Sequence, residues 1–235
     1  MQLGRGLATE SPSPYPGATL SDPGPLMLIS YAQSLVLFAT PKTGSTALEY
    51  ALAASCDLRL TGAPSRRHTT MQSYESRMEP RVRALCLAEP ELVALVREPL
   101  DWLGSWFRYR ARPGMKVPQN STRGMSFDDF IEGYLSDAPP PPSRLGTQSD
   151  FLSRKDGSCG ATALFPYERF DEAAAYLRRK LGTEAEPDAV NVSPYAELAL
   201  SPELEARLRE ERALDFALHQ QALAGWDALA TRLRL

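Results

Sequence analysis

The sequence predicts an α/β fold in which a central parallel sheet is flanked by helices. Two short, continuous apolar runs, Leu35–Ala39 and Glu91–Arg97, read as buried strands. A segment with helical spacing follows each run, and strands that alternate with helices build parallel sheets through crossover connections. At 235 residues the chain can bury one sizeable core but not two generous ones.

Residues 1–27, rich in Pro, Gly and Ser, are expected to form an irregular tail, with Met27 an alternative start, and residues 28–235 one domain. The Leu35–Ala39 strand leads to a helix over about 45–54, where Leu48 and Leu52 share one face. "DLRL", Asp57–Leu60, is a second strand, and "TGAPSRRH" is the loop after it. Thr69 is placed to cap a helix through "MQSYESRM", and "PRVRALCLA" gives another. Pro99 opens the helix after the Glu91–Arg97 strand, where its missing N–H costs nothing. Ser126 and Asp129 make a capping box for a helix through "SFDDFIEGYL". The consecutive prolines of "DAPPPPSRLGTQSD" mark a loop. "ALFPYERF" contains a late strand, and Gly182 stops the helix "DEAAAYLRRKLG". "NVSPYAEL" reads as irregular, and one long amphipathic helix is expected over "SPELEARLREERALDFALHQQALAG".

A formal net charge of −3 argues against bulk nucleic-acid binding. No stretch is long and apolar enough to cross a bilayer, and the N-terminus lacks the apolar core of a secretory leader. Cys56, Cys86 and Cys159 form no CxxC pair, which suits a reducing, cytoplasmic setting and a role as small hydrophobes.

Two constellations carry chemistry. In "LVLFATPKTGST" a strand runs into a polar turn that opens a helix. Such turns aim backbone N–H groups and the positive end of a helix dipole at an anion. Gly44 permits a tight turn, Lys42 supplies a mobile cation, and Thr43, Ser45 and Thr46 supply hydroxyls. A nucleotide-triphosphate loop reads GxxxxGK[ST]; here the lysine precedes the glycine and no glycine opens the loop. By itself the turn is either an anion loop of another kind or merely polar. The second constellation, "REPLDWLGSWFRYR", puts Arg97 at a strand end and Ser105 about two helical turns later. Separately these read as a surface salt-bridge partner and an ordinary helix position. Together they form a candidate second anion site at the carboxyl ends of the strands, where ligands bind in such sheets.

With both motifs in order, the chain resembles the PAPS-dependent sulfotransferases, of the carbohydrate type and their bacterial relatives. "PKTGST" is similar to their 5′-phosphosulfate loop, which assigns Pro41, Lys42, Thr43, Gly44, Ser45 and Thr46 to cofactor binding. "REPLDWLGSWF" is similar to their 3′-phosphate motif, which adds Arg97 and Ser105. "TQSDFLSRKDG", "LFPYERF" and "NVSPYAELALSPELEARLREERALDF" resemble the C-terminal half of these enzymes. The resemblance covers about 35–216. It implies a P-loop NTPase-like three-layer fold and sulfuryl transfer from PAPS (3′-phosphoadenosine 5′-phosphosulfate). The acceptor would be a hydroxyl of a carbohydrate or polar metabolite, and the product PAP. No metal is expected.

In-line transfer needs aligned oxygens and neutralised charge. Lys42 is the group to stabilise the leaving phosphate oxygen. His68, after the second predicted strand, is the candidate base, against a bland reading as a loop or helix-cap histidine. His219 reads as a helical, non-catalytic residue. Glu75 and Glu89 are fallback bases. Arg66 and Arg67 bind either an acidic acceptor or cofactor phosphates, or form a solvated basic loop. Trp102, Trp106 and Phe107 read as packing. Arg144, Gln148 and Ser149 face the acceptor on resemblance alone. The alternatives are a P-loop nucleotide kinase, which would want a complete loop and Mg²⁺ ligands, and a non-catalytic nucleotide-binding protein, which would need no base.

Overall fold

A computed structural model describes residues 27–60, 69–114, 117–188 and 198–235. The strands are β1 (Met27–Ser30), β2 (Leu35–Phe38), β3 (Leu58–Leu60), β4 (Glu91–Val96) and β5 (Ala163–Pro166). The helices are α1 (Ser45–Leu52), α2 (Met71–Arg77), α3 (Glu79–Leu85), α4 (Pro99–Arg110), α5 (Phe127–Leu135), α6 (Gln148–Leu152), α7 (Phe170–Leu181), α8 (Pro202–Glu211), α9 (Ala213–Ala224) and α10 (Trp226–Leu233).

The sheet has the order β3–β1–β2–β4–β5 and is mixed, not wholly parallel. Only β2, β4 and β5 pair in parallel, while β1 runs antiparallel to both β2 and β3. The cause is the short link Tyr31–Ser34, which can close a hairpin but cannot carry a crossover. Met27, assigned to the tail from sequence, is instead the first residue of β1, paired with Phe38 and Leu60 and fully buried. Residues 1–26 lie outside the described residues.

Alternation along the strands loads both faces. Leu28, Leu37, Val93, Leu95 and Phe165 join a core with α1, α7 and α10. Ile29, Val36, Phe38, Ala94 and Val96 join a second core with α2, α3, α6 and α9. A third cluster, around Trp102, Phe130 and Leu208, ties α4 to α5 and α8. The result is a sheet with helices on both faces.

The expected long C-terminal helix is broken. Arg212 leaves helical geometry at φ −121°, ψ 31°, and its Nη2 donates to the Tyr134 carbonyl at 3.1 Å. Leu208 belongs to the α4–α5 cluster and Leu218 to a core under the sheet, two places that one straight helix would not serve. Thr70, not Thr69, caps α2, accepting from the Ser73 N–H. The Ser126–Asp129 capping box and the left-handed Gly182 stop are both present. The predicted 137–150 loop contains a 3₁₀ turn at Pro141–Ser143 and the start of α6. "NVSPYAEL" falls mostly outside the described residues. Among the described residues no helix is long and apolar enough to cross a membrane.

Candidate functional site

Because β2, β4 and β5 are parallel, the segments after them leave from one edge: Ala39–Gly44 after β2, Arg97 and Glu98 after β4, and Tyr167–Arg169 after β5. β3 ends at the same edge, since Leu60 pairs with Met27 and Met27 with Phe38. His68, Arg66 and Arg67 follow it and lie outside the described residues.

The turn after β2 is shaped by two left-handed residues, Lys42 at φ 65° and Gly44 at φ 73°. For Lys42 this conformation costs about 1–2 kcal/mol. Gly44 has no room for a side chain, because a Cβ there would sit 2.5 Å from Phe170 Cε2. The Thr43 hydroxyl donates to the Thr40 carbonyl at 2.8 Å and closes the turn. Trp102 Nε1 donates to the Pro41 carbonyl, also at 2.8 Å, and so pins the turn to α4. Ser45 and Thr46 occupy the first turn of α1.

Arg97 joins the two sequence motifs. Its Nη1 donates to the Lys42 carbonyl at 3.1 Å, and its Nε pairs with Asp101 at 2.5 Å. The guanidinium lies 4.5 Å from the centre of the Tyr167 ring. Its peptide is gripped on both sides by Gln148, which accepts from the Arg97 N–H at 2.9 Å and donates to its carbonyl at 2.8 Å. Gln148 is therefore a buried support, not an acceptor-facing residue. Asp215 on α9 holds it by accepting from the Gln148 and Ser149 N–H groups. Arg144 is turned to the Pro139 carbonyl. Ser105 is buried two turns along α4, and no hydrogen bond joins it to Arg97.

The electrostatics are strongly cationic. Burial, then Arg112, Arg97 and Arg108, lower the Lys42 pKa to about 8. Asp101, paired with Arg97 and Arg108, brings a carboxylate into this group, and Glu98 accepts from the Asp101 N–H beside it. Behind the loop, burial pushes Glu49 on α1 up to about 9, and its Oε1 finds no partner among the described residues.

The other base candidates are engaged elsewhere. Glu75 binds Arg154 and the Lys155 N–H, and Glu89 pairs with Arg83. His219 is buried on α9 with Nε2 3.0 Å from Glu168. Phe107 packs on Phe127 and Phe130, as read from sequence. The sequence reading missed Tyr109, Tyr167 and Phe170, whose rings meet Lys42, Arg97 and Gly44 respectively. The signal for the first was the spacing of Trp102, Trp106 and Tyr109, which puts three aromatic residues on one side of α4.

The chain matches no protein-family model, and no curated protein and no solved structure matches it either.

Proposed function

We propose that this chain is a PAPS-dependent sulfotransferase of P-loop NTPase-like architecture. It would act in the cytoplasm on a hydroxyl of a carbohydrate or polar metabolite. The observation that carries the reading is the bond from Arg97 to the Lys42 carbonyl, which makes one site of two motifs 55 positions apart. The surplus of cationic side chains around Lys42 suits a ligand with two anionic ends. On this reading the PKTGST amides and Lys42 hold the 5′ end, and Arg97 with Ser105 holds the 3′-phosphate. PAPS supplies an activated sulfuryl group, and Lys42 neutralises charge on the oxygen that leaves. His68 takes the acceptor proton.

Thermal melting tests this without knowing the acceptor. A hundredfold excess of PAP over its Kd stabilises the folded state by about 2.7 kcal/mol. For a domain of this size that raises Tm by roughly 5–10 °C. ADP, lacking the 3′-phosphate, should protect clearly less, and EDTA should leave the PAP shift unchanged. In Arg97→Ala the preference for PAP over ADP should collapse. Protection by ATP that needs Mg²⁺, with no preference for PAP, would mean a kinase.

A further inference from the structure

Helix α4 turns two aromatic rings toward the loop lysine. The Lys42 ammonium lies 4.3 Å from the centre of the Tyr109 ring and 5.7 Å from that of Trp106. Each ring has a second cation near it: Arg112 stands 5.3 Å from Tyr109, and Arg110 stands 5.2 Å from Trp106. The rings brace each other edge to face, with centroids 5.9 Å apart. Trp102, one turn before Trp106, anchors the same loop through the Pro41 carbonyl. Trp106 keeps this place although its buried N–H has no partner among the described residues. The position therefore uses the face of the indole, not its polar edge.

We propose that Tyr109, backed by Trp106, is a positioning residue that holds the Lys42 ammonium at the mouth of the anion loop before any ligand arrives. A lysine side chain otherwise spreads over many rotamers, and fixing it in advance removes that cost from binding. The electron-rich ring face attracts the cation without neutralising it, as a carboxylate would. The charge stays available for an anion. The groups facing Lys42 are Arg112, Arg97 and Arg108, so its cationic form is crowded by like charge, and the rings offset part of that repulsion. The importance of this platform for sulfuryl transfer rests on the function proposed above; the platform itself does not.

Lysine-selective ¹³C NMR of the free protein reads the platform directly. Lys42 shares the chain with Lys116, Lys155 and Lys180, so one Lys42→Arg variant assigns its signals. In the native protein the Lys42 ε-methylene resonances should be displaced upfield by the ring. Tyr109→Phe should keep that displacement and Tyr109→Leu should lose it. PAP affinity should fall roughly 5–30-fold in Tyr109→Leu and stay within about twofold in Tyr109→Phe. Trp106→Leu, read the same way, serves if Tyr109→Leu does not fold. Ring shifts that are unchanged in the leucine variants would overturn the proposal, as would unaltered PAP affinity. If native protein shows the ring shifts but binds no PAP, the platform stands and the sulfotransferase reading falls.

Discussion

The titration of Lys42 gives the site a pH signature. Burial and three arginines bring its pKa to about 8 in the free protein. A bound anion favours the ammonium form, so the pKa in the complex must lie higher. Below pH 8 the free protein already carries the proton, and PAP affinity should be flat. Above it, binding must take up one proton, and affinity should fall by up to tenfold per pH unit. Between pH 7 and 9.5 the loss works out at roughly 30-fold. The phosphates do not confuse this window, as their second pKa is roughly 6. The decline has a floor: it cannot exceed the worth of a charged hydrogen bond, about 1.5–3 kcal/mol. Affinity should therefore level off at that of Lys42→Met, which should itself show no pH dependence here. Calorimetric titration in two buffers of different ionisation enthalpy counts the proton. Uptake should be near zero at pH 7 and close to one at pH 9.5. No uptake at pH 9.5, or the same uptake in Lys42→Met, would refute the argument.

Two further predictions concern the frame of the site. Gly44→Ala should destabilise the fold by about 1–2 kcal/mol from its left-handed backbone alone, and more from the collision with Phe170. In urea unfolding that excess should shrink when Phe170→Leu is added, and a loss under about 0.5 kcal/mol for Gly44→Ala would be inconsistent with the close approach. Glu49, buried and raised to about 9, keeps its proton when folded and loses it when unfolded above its ordinary value of 4.5. Its cost is therefore absent below pH 4.5 and accumulates as pH rises toward 9, reaching at most about 3 kcal/mol at pH 7. Glu49→Gln should remove that slope, so unfolding curves at pH 5 and pH 8 should differ less in the variant than in the native chain.

The sequence announced those parts of the site that depend on local pattern. The β2–turn–α1 unit was legible because an apolar run, a glycine and a helical spacing sit side by side. The β4 strand and the Pro99 start of α4 were legible for the same reason. The hairpin of β1 was not, because a four-residue apolar run beside a Pro-rich stretch has no periodicity of its own, and its pairing with β2 and β3 is a tertiary fact. The break at Arg212 was hidden because "REERALDF" keeps helical composition across it, and only packing against α5 decides the matter. Gln148 was misplaced because it opens a helix inside a stretch that reads as loop, and its partner, the Arg97 peptide, is 51 positions away. The rings that meet Lys42, Arg97 and Gly44 come from α4, from the turn after β5 and from the first residue of α7. Their spacing was visible but their target was not.

Arg97 shows why a loop so unlike the nucleotide-triphosphate pattern still forms a defined site. Its ion pair with Asp101 is partly exposed and adds little stability. Its effect is orientational. With Nε held by Asp101 and the plane lying against Tyr167, Nη1 is aimed at the Lys42 carbonyl, and that bond steadies a left-handed lysine that the backbone alone disfavours. Among the described residues Nη2 has no hydrogen-bond partner. An anion can take it without breaking the bracket that shapes the turn. A planar, five-donor guanidinium meets all of these demands at once, whereas an ammonium at the same position would bring the charge without the fork or the stacking plane. Arginine at this strand end is thus required by the shape of the loop as much as by any ligand. That double duty links the geometry of the first motif to the occupancy of the second.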